Sequence, residues 1–318
     1  MKALGMLSGG LDSQLAMKLM LNQGIEMVAF HYRAEFCTGV SKGQTENVAV
    51  RAARKLGIPI HVIDITLPML EVIKKPKHGH GSAINPCIDC RIYTFTQAKK
   101  YMAEIGASFL VTGEVLNSRP MSQRPQTLGV IERQSGLEGY IVRPLSAKAL
   151  APSIPEQKGW VDREKLLAID GRSRKIQIAL AQELGIVDYP TPAGGCLLAE
   201  KEYEVKLTQL LEENPFPEIR DVELLRTGRH IIAQDGTRYI IPRNQVEDEQ
   251  LSAIIRPTDL VLRLKDILGP SCLIVNPNAG DETIKEAATN LVRYSKARDQ
   301  KKVTVIINRS GVLSEIEI

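Results

Sequence analysis

The sequence predicts an α/β protein: a doubly wound, mainly parallel sheet followed by a smaller α+β domain. Three observations carry this. Short apolar runs alternate with amphipathic stretches, which is the pattern of strands covered on both faces. A Ser-Gly-Gly loop joins the first run to the first helical stretch, where a helix N-terminus gathers free backbone N–H groups. Beyond about residue 199 the rhythm changes to short strand-like runs broken by Gly, Asn and Pro turns. The expected domains are therefore 1–199 and 200–318.

In the first domain the strands are Ala3 to Leu7, Met27 to Tyr32, Ile58 to Ile65, Phe109 to Thr112 and Tyr140 to Val142. Helices are expected over Gln14–Asn22, Gln44–Leu56, Thr94–Ile105 and Ser173–Leu184. The stretch Tyr189-Pro190-Thr191-Pro192-Ala193-Gly194-Gly195 is incompatible with regular structure. In the second domain a helix over Glu202–Glu212 precedes strands at His230–Ile232, Arg238–Ile241, Asp259–Leu264, Ser271–Val275 and Val303–Asn308, with a further helix over Glu282–Ala297. In doubly wound sheets ligands bind beyond the carboxyl ends of the strands, so Ser8–Ser13, Phe30–Arg33 and Thr112-Gly113-Glu114 fall on one edge.

Ser8-Gly9-Gly10-Leu11-Asp12-Ser13 is the most specific motif. It has neither the Lys of a Walker loop nor the spacing of a dinucleotide fingerprint. A plain Gly turn with Asp12 as helix cap explains fewer of its residues than an anion site does. Ser8 and Ser13 are placed as donors to phosphate oxygens, Gly9 and Gly10 allow close backbone approach, and Asp12 faces a Mg²⁺ ion.

The 318 residues suffice for two cores, and 43% hydrophobic with 25% charged residues is the balance of a water-soluble chain. No run approaches the 18 or so apolar residues of a membrane span. A cytoplasmic protein with no membrane partner is expected. Residues 200–318 hold 17 Lys and Arg against 20 Asp and Glu, leaving 24 against 17 upstream, so a polyanion would be drawn to the first domain.

Five cysteines without a secretory signal point to thiol, metal or cluster chemistry and away from a disulfide framework. Asn85-Pro86-Cys87-Ile88-Asp89-Cys90-Arg91 sets two thiols at a helix start, where the dipole and Arg91 would favour thiolates. Cys196 follows Gly194-Gly195. Zinc, with His78 and His80 as further donors, a thioredoxin-like redox pair, and a [4Fe–4S] cluster held by Cys87, Cys90 and Cys196 are all open readings, the cluster being preferred. A persulfide on Cys196, resolved by Cys87 or Cys90, stands beside them. Cys272 reads as core, and Cys37 as a loop residue near the nucleotide.

The Ser-Gly-Gly-x-Asp-Ser loop resembles the signature of the PP-loop ATP pyrophosphatases. Asn85-Pro86-Cys87-Ile88-Asp89-Cys90 is similar to the 2-thiouridylases, and Thr112-Gly113-Glu114 continuing through Arg119-Pro120-Met121-Ser122-Gln123 is similar to the 4-thiouridine synthases. Residues 1–196 thus resemble the tRNA thiouridylase group, with a Rossmann-like PP-loop domain. Leu225–His230 with Tyr239–Asn244 resembles the RNA-binding domain of NFACT-type proteins.

The resemblance implies an ATP-dependent sulfurtransferase. ATP adenylates a uracil oxygen of tRNA, and a sulfur nucleophile then displaces AMP. Asp12, Cys87, Cys90 and Cys196 would be catalytic. Ser8, Gly9, Gly10, Asp12, Ser13, Phe30, His31, Thr112, Gly113 and Glu114 would hold ATP and Mg²⁺, while Cys87, Cys90 and Cys196 would ligate the cluster. Arg119, Ser122, Gln123, Arg226, Arg229 and Arg243 would meet RNA. A cysteine desulfurase or sulfide would supply sulfur. Two other functions fit the motifs: a PP-loop ligase or thiolase acting on a small molecule, and an RNA-binding factor that senses nucleotide without turnover.

Overall fold

The computed structural model describes residues 1–37, 46–190 and 195–318. The expected helix start at Gln44 and the stretch Thr191 to Gly194 lie outside the described residues. The chain divides into two compact units, Met1–Glu204 and Val205–Ile318.

The first unit runs β1 (Lys2–Met6), α1 (Leu11–Leu21), β2 (Glu26–Arg33), α2 (Val48–Leu56), β3 (Ile60–Asp64), α3 (Thr66–Lys74), α4 (Cys87–Ile105), β4 (Phe109–Thr112), α5 (Pro125–Ser135), β5 (Ile141–Val142), α6 (Ile154–Gln157) and α7 (Lys175–Glu183). α8 (Lys201–Glu213) crosses the division between the units. The strands form one sheet in the order β3-β2-β1-β4-β5, with every pairing parallel.

Strand alternation divides the apolar residues between two cores. Ala3, Met27, Ala29, Phe109 and Val111 face one side with Ala16, Met17 and Met20 of α1. Leu4, Met6, Val28, Phe30 and Leu110 face the other with Phe95, Ala98 and Met102 of α4. Both faces are buried, which is why the strands read as continuous apolar runs. Gly5 lets α1 lie close on the sheet, because a Cβ there would come within 2.0 Å of the Met17 sulfur.

The second unit contains α9 (Ile219–Leu224), β6 (Arg229–Ile232), β7 (Arg238–Ile241), α10 (Gln245–Ile254), β8 (Leu260–Leu264), β9 (Cys272–Ile274), α11 (Asp281–Arg293), β10 (Thr304–Arg309) and β11 (Val312–Glu317). Its antiparallel sheet has the order β11-β10-β8-β9-β7-β6. Tyr239, Ile241, Leu260, Leu262 and Ile274 pack with Ile284, Ala287 and Leu291 of α11. Ile240, Val261 and Leu273, one residue out of phase, pack with Leu224 and Leu251. Cys272 is fully buried, and its surroundings push the thiol pKa up. Among the described residues no helix is long and apolar enough to cross a membrane.

Candidate functional site

The loop after β1 leads straight into the N-terminus of α1, with Gly10 N donating to Ser8 Oγ at 3.4 Å. Gly10 caps α1 in an extended conformation with no side-chain capping bond, so Asp12 is not the cap. Gly9 has a φ of +79°, and a Cβ there would stand 2.7 Å from the Val48 backbone, so this position admits glycine alone. Ser13 Oγ donates to Gly10 O at 2.8 Å and lies 3.2 Å from Ser8 Oγ. From inside the fold, Gln14 Nε2 donates to Gly9 O (2.7 Å) and Asp188 O (3.0 Å), fixing the loop from behind. Asp12 Oδ1 is buried without a hydrogen-bond partner among the described residues. Burial raises the Asp12 pKa, against the lowering by Arg174 and Arg119. An orphaned carboxylate oxygen beside a helix N-terminus and arginines fits a divalent cation bound with polyphosphate.

This loop opens on a cavity of about 320 Å³, within the range of small-molecule sites. Ser8, Gly10, Asp12 and Ser13 line it, together with Phe30, His31 and Tyr32 of β2, Thr112, Gly113 and Glu114 after β4, and Arg119 and Gln123. Gly9 supports the loop against α2 without lining the cavity, and Ser122 is buried. Gly113 permits contact between the β4 end and α1, since a Cβ would sit 2.6 Å from the Asp12 carbonyl. His31 Nδ1 donates to Leu7 O at 2.9 Å and Nε2 accepts from Asn47 Nδ2 at 3.2 Å. Burial pushes the His31 pKa down, so the ring is neutral. Arg174 and Val48 also line the space, although neither carries a motif in sequence.

An ion network that sequence spacing does not reveal reaches the cavity wall through Glu114 and Arg91. Glu114 Oε2 accepts from Arg143 Nε at 3.0 Å, and Glu114 Oε1 is 3.4 Å from Arg91 Nε. Arg143 also pairs with Glu132. The Thr-Gly-Glu turn is thereby tied to the helix that carries Cys87 and Cys90.

The thiols depart from expectation in two ways. Asn85 Nδ2 lies 3.1 Å from Cys87 Sγ, and Cys90 N donates to Pro86 O at 2.8 Å. Burial pushes the Cys90 thiol up to about 12; Arg91 opposes this, while Cys196, Cys87 and Asp89 add to it. The expected low-pKa thiolate at Cys90 is therefore corrected: desolvation outweighs the guanidinium. Asp89 accepts from His78 N and Nδ1, both at 3.0 Å, and holds the preceding loop.

Cys196 instead pairs with Cys37 through an antiparallel β-bridge. The Cys37 thiol hydrogen-bonds to Cys196, which lowers the Cys196 pKa and raises that of Cys37. Arg91 lowers the pKa of the half-buried Tyr32 phenol, but desolvation, with Cys90, Cys37 and Cys196 adding to it, raises it overall. Among the described residues no group of three or more His, Cys, Asp or Glu side chains is gathered to hold a metal ion. Cys87 and Cys196 both act on the Cys90 thiol, so the three cysteines expected as [4Fe–4S] ligands share one neighbourhood. Of the cysteines, Cys37 lines the cavity; Cys87, Cys90 and Cys196 are not among the lining residues.

In the second unit Arg226 and Arg243 are exposed. Arg243 pairs with Glu247 at 3.4 Å, and the Arg229 guanidinium stacks on Tyr294 at 4.6 Å.

A parallel sheet whose strand order reverses beside a glycine-rich anion loop defines a nucleotide-binding α/β unit, here joined to an antiparallel α+β unit. Residues 1–149 match the family model described as "Thiamine biosynthesis protein (ThiI)", and residues 228–317 match "NFACT protein RNA binding domain". Residues 1–149 are thus similar to thiouridylase-like PP-loop proteins, and residues 228–317 to NFACT-type domains. The chain is 33% identical over 115 residues to tRNA-specific 2-thiouridylase MnmA of Syntrophotalea carbinolica, covering 34% of this chain and 32% of that protein. Against the MnmA of Methylobacterium nodulans it is 32% identical over 242 residues, covering 70% of this chain and 59% of that one. The chain therefore spans between a third and three fifths of these two relatives. A 4-thiouridine synthetase, solved as an RNA complex with bound ATP, aligns at 21% identity with a TM-score of 0.40, covering 70% of this chain and 52% of that one.

Proposed function

We propose that the chain is an ATP-dependent sulfurtransferase that adenylates and thiolates a uridine in tRNA. The observation that carries this reading is the orphaned Asp12 carboxylate in a rigid anion loop on a cavity that Cys37 also lines. Ser8, Gly10 and Ser13 would hold the polyphosphate of ATP, and Asp12 would hold a Mg²⁺ ion, which would supply neutralisation of charge on the pyrophosphate. Phe30, His31 and Thr112 contact the rest of the nucleotide. A uracil carbonyl is a poor electrophile until its oxygen carries AMP, so activation and sulfur delivery belong in one cleft.

The sulfur chemistry is assigned to cysteines without a metal. Cys196 is the thiol whose surroundings favour ionisation, and it takes up sulfane sulfur from a donor such as a cysteine desulfurase. Arg119 and Gln123 at the cavity, with Arg226, Arg229 and Arg243 in the second unit, contact RNA. The match to an RNA-binding family model supports that role.

The test is to incubate the full chain with tRNA transcript, ATP, Mg²⁺ and a sulfane-sulfur donor, then measure AMP and thiolated nucleosides by mass spectrometry. A thiouridine formed with AMP in equal amount is expected. AMP release unaffected by tRNA, with no thiolated nucleoside, overturns the reading and leaves a small-molecule ligase.

A further inference from the structure

Cys37 carries no motif, yet the fold sets it directly against Cys196. Cys37 and Cys196 are bridge partners, and Leu197 N donates to Phe36 O at 2.9 Å, so backbone hydrogen bonding fixes their register. Directly opposed residues of an antiparallel pair have Cα atoms about 4.5–5.5 Å apart, inside the roughly 4.4–6.8 Å that a disulfide spans. Both thiols are free and half-buried, and they are hydrogen-bonded to each other. Cys87 and Cys90 stand differently. Cys87 is held by Asn85, and Cys90 is tied into the first turn of α4.

We propose that Cys37 is the resolving thiol for Cys196, an inference that rests on the thiolation reading above. Sulfane sulfur is first loaded as a Cys196 persulfide. Its terminal sulfur attacks the adenylated carbon, a C–S bond forms, and the C–O bond breaks with the electron pair leaving on AMP. Cys37 Sγ then attacks Cys196 Sγ, losing its proton. A Cys37–Cys196 disulfide forms, the bond from Cys196 to the transferred sulfur breaks, and that sulfur keeps the electron pair as the thiocarbonyl of the protonated base. Two cysteines are oxidised by two electrons, and the sulfane sulfur is reduced by two. An external dithiol returns the pair to thiols.

Trypsin separates the candidates: Cys37 lies on peptide 34–42, Cys196 on 176–201, and Cys87 with Cys90 on 78–91. The full chain is loaded with inorganic polysulfide, given ATP, Mg²⁺ and tRNA transcript for one turnover without reductant, quenched with N-ethylmaleimide, and mapped unreduced. The expected result is a 34–42/176–201 cross-link in the same amount as thiolated tRNA. In Cys37→Ser, RNA should stay bound to Cys196 through a bond that reductant cleaves, with free thiolated tRNA down at least tenfold. A 78–91/176–201 cross-link, with Cys37 alkylated, overturns the proposal while thiolation itself stands. A second measurement needs neither ATP nor RNA: in a dithiothreitol redox titration, the 34–42/176–201 disulfide should form first. If it does and no thiouridine ever forms, the pair survives and the thiolation reading falls. If another pair forms first, the proposal falls.

Discussion

The Ser8–Ser13 loop and Cys37 of the sulfur region line the same cavity, yet the two regions are built on opposite plans. The loop is one contiguous stretch, Ser8–Ser13, whose working groups are mainly backbone donors fixed by Gly9 and by Gln14. The sulfur region gathers Cys37, Cys90 and Cys196 from three distant segments around Tyr32, and is held by buried charges that belong to none of them. A local device needs glycines and one helix start. A dispersed one needs the whole sheet in register, and it is sensitive to changes far from any sulfur.

The largest expected effect tests that sensitivity. Glu114→Gln removes the charge shared by Arg91 and Arg143, leaving buried Arg143 with Glu132 alone and half-buried Arg91 without this carboxylate. Breaking a buried pair from one side typically costs about 3–5 kcal/mol, so urea unfolding should show a loss of that order. Phosphate-loop geometry, read by nucleotide binding at low temperature, should survive. A loss below about 1 kcal/mol would mean that the network does not hold the sulfur region together.

Asp12→Asn is the complementary change. Asp12 Oδ1 has no hydrogen-bond partner among the described residues, so little stability is at stake. Removing one preorganised electrostatic group of this kind costs about 10²–10³ in rate, and AMP release should fall by that factor while Tm holds. A large Tm drop with AMP release intact would reverse the assignment. Gly9→Ala should act through geometry: a left-handed φ with a Cβ 2.7 Å from the Val48 backbone costs about 1–3 kcal/mol of strain, measurable by thermal unfolding.

The same contrast explains what the sequence makes legible. Strands β1, β2, β4 and β5 stand out because both faces are largely buried, so the apolar runs are nearly unbroken, and Ser8–Ser13 announces itself because its chemistry is written in neighbouring residues. The second unit's alternating strands are readable wherever one face meets α11, as in Leu260 to Leu264. β11 is not, since most of its residues are exposed and carry no apolar period. α5 has no counterpart among the expected helices: Pro125 and Gly129 both lower helix propensity, although Pro is tolerated in a first helical turn. The Cys90 thiol misleads because a dipole and an adjacent Arg are visible in sequence, whereas desolvation is not. The pairing of Cys37 with Cys196 has no sequence signal, since it depends on two loops brought together by the finished sheet.

The smallest expected effect concerns rates of thiol modification, and it separates the sulfurs from one another. Cys196 has its pKa lowered by the hydrogen bond from Cys37, whereas burial holds Cys90 at about 12. The thiolate is the reactive form, so at pH 7 iodoacetamide should label Cys196 before Cys37 or Cys90. Removing the donor by Cys37→Ala takes away the largest lowering influence on Cys196. Its labelling midpoint should then move to higher pH, because a thiolate that loses its hydrogen bond is protonated more readily. Cys90, whose shift comes first from burial, should keep its profile in that variant. An unchanged Cys196 midpoint would show that the backbone setting, and not its neighbour, makes this sulfur the ionisable one.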